Sequence, residues 1–185
     1  GSELVDWPLS HTIKCLCFYH PDDPSTLKLE QQEKLRTLFD ASRKVGRELL
    51  VEIIAGKHGV LDKHTIERAL IEIYDLGIRP DWWKVEPQAR KVAWTNIGRV
   101  ITTRDPYCRG VVLLGLEAPQ HELEAAFAAT AEVPVVKGFA IGRTIFADAA
   151  QKWFAGNMTD NEAIDEMADK FERLTSAWLR ARKLG

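Results

Sequence analysis

Short apolar runs of strand length alternate with amphipathic segments of helix length along the whole of this chain, and that alternation most constrains its fold. The runs are IKCLCFY (13–19), LLVEIIAG (49–56), WWKVEP (82–87), GVVLLGL (110–116) and VVKGFAIGR (135–143). After the turn-rich HPDDPS, the spacing predicts a helix over Ser25 to Lys44, with Leu27, Leu35, Leu38, Phe39 and Val45 on one stripe and Gly46 as its stop. Further helices are predicted over 62–76, with Asp62 as N-cap, over 88–102, and from Pro119 at a first turn. Two more follow the last run, over 144–155 and 160–182. Strands separated by helices in this way pair in parallel through right-handed crossovers, because a tight turn cannot join parallel neighbours.

Two architectures fit such a pattern: an open doubly wound sheet, or part of a (β/α)8 barrel. Charges inside the strands separate them. Side chains alternate along a strand, so Lys14 shares a face with Leu16 and Phe18, Glu52 with Leu50 and Ile54, and Lys84 with Trp82 and Glu86. A doubly wound sheet carries helices on both faces and leaves mid-strand charges no place. A barrel has one helix-covered face and one interior, whose upper layer opens into an active site. The expected fold is therefore α/β, the C-terminal five βα units of a TIM barrel, since a complete one needs about 250 residues. Five strands leave two sheet edges and an uncovered inner face bearing Leu16, Phe18, Leu50, Ile54 and Trp82, so a homo-oligomer is expected.

Composition narrows the function classes. A formal net charge of −2 over 185 residues argues against nucleic acid or an anionic membrane as partner. No apolar run approaches the roughly 18 residues of a membrane span, and no signal-peptide pattern is expected from the opening residues. Cys15 and Cys17 stand one residue apart without the further ligands a zinc site needs, and read as small core residues of a reducing cytoplasm. Gly1-Ser2 has the form of a tag-cleavage scar and the first residue is not methionine. Residues 1–12 are accordingly read as scar and linker, 13–185 as the domain, and the natural protein is expected to extend upstream.

Neighbouring strands lie about 4.8 Å apart. If consecutive units pair, Glu52 falls between Lys14 and Lys84, within reach of both. An amine beside a second cation in a poorly solvated cavity gives up its proton more readily and becomes a nucleophile for a ketone or aldehyde. The carboxylate can then move the protons that Schiff-base chemistry requires. The same three residues could equally form an ion-pair network that fills the interior. Near the other end, Gly115 and Gly142 follow the last two strands and Arg143 adjoins the second, the place where barrels bind phosphate; the alternative is a solvent-exposed arginine at a helix start. His20, Asp22 and Asp23 could hold a divalent ion but read rather as caps. His58 and His64 are expected to face solvent. His121 has no nucleophile motif beside it, and Trp153 and Trp178 are placed as packing residues.

These residues resemble a known family. WWKVEP is similar to the strand LKVEVP of class I tagatose bisphosphate aldolases, whose lysine forms the Schiff base. IKCLCFYHPDD resembles that family's earlier lysine-bearing strand, and LLVEII its strand with the catalytic glutamate. VVKGFAIGRTIFADAAQKWFAG resembles the final strand, Gly-Arg phosphate site and following helix. FYHPDD and GFAIGRTIF are most similar to the aldolase-like C-terminal domain fused to deoxygluconokinases of myo-inositol catabolism. The likeness runs from about Lys14 to Trp178, with LLGLEAP standing where the bisphosphate aldolases carry a Ser-Ala-Gly turn. It implies Lys84 as Schiff-base lysine, Glu52 as its acid/base, Lys14 as auxiliary cation, and Arg143 with Gly115 and Gly142 at a phosphate, without cofactor or metal. The implied substrate is a phosphorylated dehydro-deoxygluconate, cleaved to dihydroxyacetone phosphate and malonate semialdehyde, and the implied partner is an upstream kinase domain of the same protein. The rival expectation is a non-catalytic domain that supports that kinase.

Overall fold

A computed structural model describes residues 2–116 and 118–183. Gly1 of the expected scar and Glu117 within LLGLEAP lie outside the described residues. Five strands form one sheet: β1 (Ile13–Phe18), β2 (Leu49–Ile54), β3 (Trp82–Val85), β4 (Gly110–Leu114) and β5 (Val136–Ala140). They alternate with α1 (Ser25–Lys44), α2 (Thr65–Asp75), α3 (Lys91–Arg104) and α4 (Gln120–Thr130), and α5 (Arg143–Phe154) and α6 (Asp160–Ala181) follow the last strand. All pairs are parallel and the spatial order is the chain order. A doubly wound sheet reverses its strand order at one point; this one does not, so right-handed crossovers lay the helices over a single face. That is the wall of a barrel, as the strand charges predicted.

Burial records the two faces. Val51, Ile53, Trp83, Val85, Val111 and Leu113 point toward the helices and are wholly buried. They meet Ile66, Leu70 and Ile73 of α2, Trp94 and Ile97 of α3, and Leu123 and Phe127 of α4. The Trp83 indole N–H donates to the Tyr74 hydroxyl at 2.8 Å, so the largest core side chain leaves no polar atom unpaired. On the other face, Leu16 is 43% and Phe18 38% exposed. Ile54, expected to share that exposure, is covered instead, at 4%. Curvature of the wall closes its inner side over an interior strand, while the edge strand β1 stays open.

Several element ends differ from expectation for local reasons. α2 starts at Thr65 with His64 as N-cap, because the Asp62 carboxylate accepts from the His64 backbone N–H and the Thr65 hydroxyl, both at 2.8 Å, and makes a turn ahead of the helix. Pro24 caps α1 without a side-chain bond, so the acids of HPDDPS are not its caps. β5 ends at Ala140, three residues early, and hands Gly142 and Arg143 to the start of α5. At the other terminus, the buried Arg47 guanidinium donates to the carbonyls of Val5 and Trp7 and holds residues 3–7 against the body. No helix among the described residues is long and apolar enough to cross a membrane.

α6 is docked by an aromatic cluster. Trp178 meets Phe127 edge-on, with centroids 5.4 Å apart, and Phe139 at 6.0 Å. The Arg182 guanidinium lies 4.2 Å over the Trp178 ring and donates to the Val136 carbonyl at 2.8 Å. Trp153, also expected to pack, is 43% exposed; its indole donates to Asp160 at 2.7 Å and ties the end of α5 to the start of α6. Trp178→Ala should therefore destabilise the domain by about 3–5 kcal/mol, the usual cost of emptying a large aromatic site. A urea midpoint corresponding to less than about 1 kcal/mol of loss would show that α6 does not depend on this contact.

Candidate active site

The sheet register brings three charged side chains together. Glu52 pairs directly with Lys84 across β2 and β3, while Lys14 lies two residues lower on β1, opposite Leu50, and reaches up along the inner face. Lys84 Nζ stands 3.2 Å from Glu52 Oε1, and Lys14 Nζ lies against Oε2. Side-chain exposure falls from 47% at Lys14 to 17% at Lys84 and 7% at Glu52. A carboxylate this desolvated is tolerable only with cations on it, and here each oxygen has one. Oε2 makes no hydrogen bond of ordinary geometry among the described residues, so its tie to Lys14 is charge against charge. In the same register row, Val112 and Gly138 continue the inner face, and a Cβ at Gly138 would meet nothing within 4 Å. The space in front of Lys84 is open as well.

A cleft of about 300 Å3 occupies that space. Lys14, Glu52, Lys84, Gly115, Gly142 and Arg143 all line it, together with Leu16, Ile54, Leu114, Thr144 and Phe146. The glycine at 115 lets the end of β4 approach α5: a Cβ there would stand 2.9 Å from Ile141 Cγ2 and 3.2 Å from Thr144 Oγ1. α5 begins at Arg143 behind an N-cap, Gly142, that offers no side-chain acceptor. Its first turn thus presents the positive end of a helix dipole at the cleft. Thr144 was not singled out by sequence; its hydroxyl is buried and takes no hydrogen bond among the described residues. The only signal for it was its place directly after Gly-Arg. Arg143 and Thr144 also line an adjacent cleft of about 390 Å3 between α4, α5 and α6.

A family described as "Uncharacterized protein conserved in bacteria (DUF2090)" matches residues 1–182. The chain belongs to this family. No curated protein matches it. The DUF2090 description assigns no reaction, so the chemistry is read from the side chains.

The remaining candidates of this DUF2090 domain sort by their partners. Among the described residues, no group of three or more His, Cys, Asp or Glu is placed to hold a metal ion. Asp22 is taken by Arg68, whose guanidinium holds its carboxyl below the usual range. His64 bridges to Glu67 at 2.6 Å and is half-exposed. His58 is exposed, as expected, and its Nδ1 also lies 2.9 Å from the Asp23 carboxylate. His121 is exposed in the first turn of α4. Cys17 is buried against Gln31, and burial pushes its thiol up to about 12; Cys15 and Cys108 are pushed to about 11 by the same cause. Thiols this weakly acidic carry almost no thiolate at neutral pH, which suits packing rather than nucleophilic work. Glu86, which sequence placed beside Lys84, is buried and accepts the backbone N–H groups of Ala55 and Gly56 at 2.8 and 2.9 Å, locking the end of β2 to that of β3.

Proposed function

We propose that this domain is a class I aldolase, a carbon–carbon lyase that works through a Schiff base on Lys84. The observation that carries the reading is a lysine amine 3.2 Å from a buried carboxylate, inside a cleft that an arginine at a helix start also lines. Lys84 gives a proton to Glu52 and attacks the substrate ketone. Glu52 returns the proton to the carbinolamine oxygen, which leaves as water, and an iminium forms. Glu52 then removes the proton of the hydroxyl two carbons away. The carbon–carbon bond breaks, its electrons flow into the iminium to give an enamine, and an aldehyde departs. Protonation of the enamine and hydrolysis release the second product and free Lys84. Lys14 anchors Oε2 and so fixes the carboxylate that faces Lys84.

Arg143 and the first turn of α5 are the phosphate end of this reading. The substrate class follows from the family resemblance: a phosphorylated dehydro-deoxygluconate, split into dihydroxyacetone phosphate and malonate semialdehyde in cytoplasmic inositol catabolism, with a sugar kinase as upstream partner in the same protein. Borohydride reduction in the presence of dihydroxyacetone phosphate should leave a covalent adduct on Lys84, located by peptide mass spectrometry. Lys84→Met should abolish the adduct while keeping the fold, because Glu52 retains Lys14 as its counter-charge. An adduct that survives in that variant, or none in the wild type, would favour the non-catalytic kinase-supporting reading.

Lysine cannot reproduce a bidentate guanidinium contact. Arg143→Lys should thus weaken binding of dihydroxyacetone phosphate by roughly tenfold, about 1.4 kcal/mol, and leave dihydroxyacetone little changed. Equal losses for both ligands would make the arginine structural.

The proposal extends to assembly. β1 and β5 are the edges of the sheet, and β1 presents Leu16 and Phe18 to solvent beside its unpaired side. Apolar burial is worth about 25 cal/mol per Å2, and open edges template further strands. A homodimer or larger assembly in which the open inner faces or the sheet edges meet is expected at micromolar concentration in light scattering. A monodisperse monomer would refute it.

A further inference from the structure

The loops after β1 and β2 build a histidine–carboxylate pair that the reaction above leaves unused. Asp23 is nearly buried, with 7% side-chain exposure, and its Oδ2 accepts the His20 backbone N–H at 2.8 Å. Both of its oxygens lie within 3.0 Å of His58 Nδ1. A carboxylate there accepts, so Nδ1 carries the proton and Nε2, on the opposite edge of the ring, is the imidazole's second polar atom. The ring stacks on Phe18, with centroids 5.8 Å apart and planes at 17°. Phe18 belongs to the same strand face as Lys14 and Leu16 and pairs in register with Ile54, which lines the cleft. His58 therefore stands over the inner face, about 7 Å (two strand residues) beyond the row that holds Glu52.

The loop that carries His58 is fastened on both sides of it. Glu86 takes the N–H groups of Ala55 and Gly56 before it. After it, the buried His20 ring accepts the Asp22 N–H at 3.1 Å through Nδ1, which leaves its Nε2–H facing the Val60 carbonyl at 3.3 Å. The loop lies so close on this ring that a Cβ at Gly59 would come within 2.7 Å of His20 Nε2. Two buried residues and a glycine thus hold one exposed imidazole against Phe18, on the strand face that also carries the cleft, and such support suits a binding group.

The order of groups along the barrel wall is then Arg143 after β5, Lys84 on β3, and His58 after β2. Taking Lys84 as the Schiff-base lysine, on which this inference rests, we propose that His58 binds the carboxylate end of an open-chain phosphorylated keto acid whose phosphate lies at Arg143. In such a molecule the ketone adjoins the phosphate-bearing carbon and the acid lies four carbons further on, about 5 Å when extended, so phosphate, ketone and acid fall in the order of arginine, amine and imidazole. In the proposed complex the ring donates from both nitrogens and bridges two carboxylates, Asp23 through Nδ1 and the substrate through Nε2. On the same two loops, Lys57 precedes it in the chain, and the His20 ring lies 3.8 Å from the Asp22 carboxylate that Arg68 holds. Asp23 acts through His58 as a positioning residue.

The test uses borohydride trapping on the whole chain with two probes, the six-carbon 5-keto-2-deoxygluconate 6-phosphate and dihydroxyacetone phosphate, which lacks the acid end. The wild type should half-saturate at a lower concentration of the keto acid, and His58→Gln should reduce that preference at least tenfold. The His58 ring 15N signals should move with the keto acid and not with dihydroxyacetone phosphate, and Asp23→Asn should weaken that response. If His58→Gln keeps the wild-type preference and the ring signals stay still, the inference is overturned while the Schiff-base reading stands. If the wild type traps neither probe at Lys84, that reading falls and takes this one with it.

Discussion

A carboxylate at 7% exposure on the inner face of a sheet cannot stand alone, and the rest of this molecule is arranged around that demand. Glu52 sits on an interior strand, so cations must come from the strands on either side, and it receives Lys84 from β3 and Lys14 from β1. That supply exists only if the three strands are neighbours, parallel and in the observed register. A slip of one residue would turn Lys84 into the helix-covered face and Trp83 into the cleft. The ion-pair row and the buried row of Val51, Ile53, Trp83 and Val85 therefore specify the same register from opposite faces.

Much of this was legible in the sequence because periodicity carries it. Alternation sets the unit count, and parity puts Lys14, Glu52 and Lys84 on one face. Chain-order pairing then made them neighbours. Parity says nothing of curvature, however, so Ile54 was expected in solvent and is covered. Nor could helical spacing tell Trp178, which meets Phe127 and Phe139, from the half-exposed Trp153, whose ring meets its neighbour Phe154. Both tryptophans sit on amphipathic helices; what separates them is whether a neighbouring element is there to receive the ring.

Groups carried on loops were the hardest to read. Asp22, Asp23 and Asp62 have the composition of caps, yet each carboxylate is engaged elsewhere, by Arg68, by His58, and by the turn before α2. Their partners lie tens of residues away or depend on loop geometry, and no repeat in the sequence connects them. The His58–Asp23 contact spans 35 residues and exists because parallel pairing sets the loops after β1 and β2 side by side at one end of the sheet. Gly59 shows the same limit: its hydrogen side chain matters because of a histidine ring from the neighbouring loop.

This division of labour follows from winding the chain in one direction only. With all crossovers on one side, the helix-covered face holds nearly every fully buried apolar side chain and bears the stability of the domain. The opposite face is relieved of packing duty and can carry charge, a glycine with open space, and an approach from solvent. The C-terminal ends of the strands then gather the loops, including the buried Glu86 that locks β2 to β3 and the His20 ring that seats the loop of His58. The rigid parts of the site are thus supplied by strands and the selective parts by loops pinned to them. A substitution on the inner face should be felt first in what the cleft binds, and one on the covered face first in whether the domain folds, because successive side chains of a strand point to opposite faces.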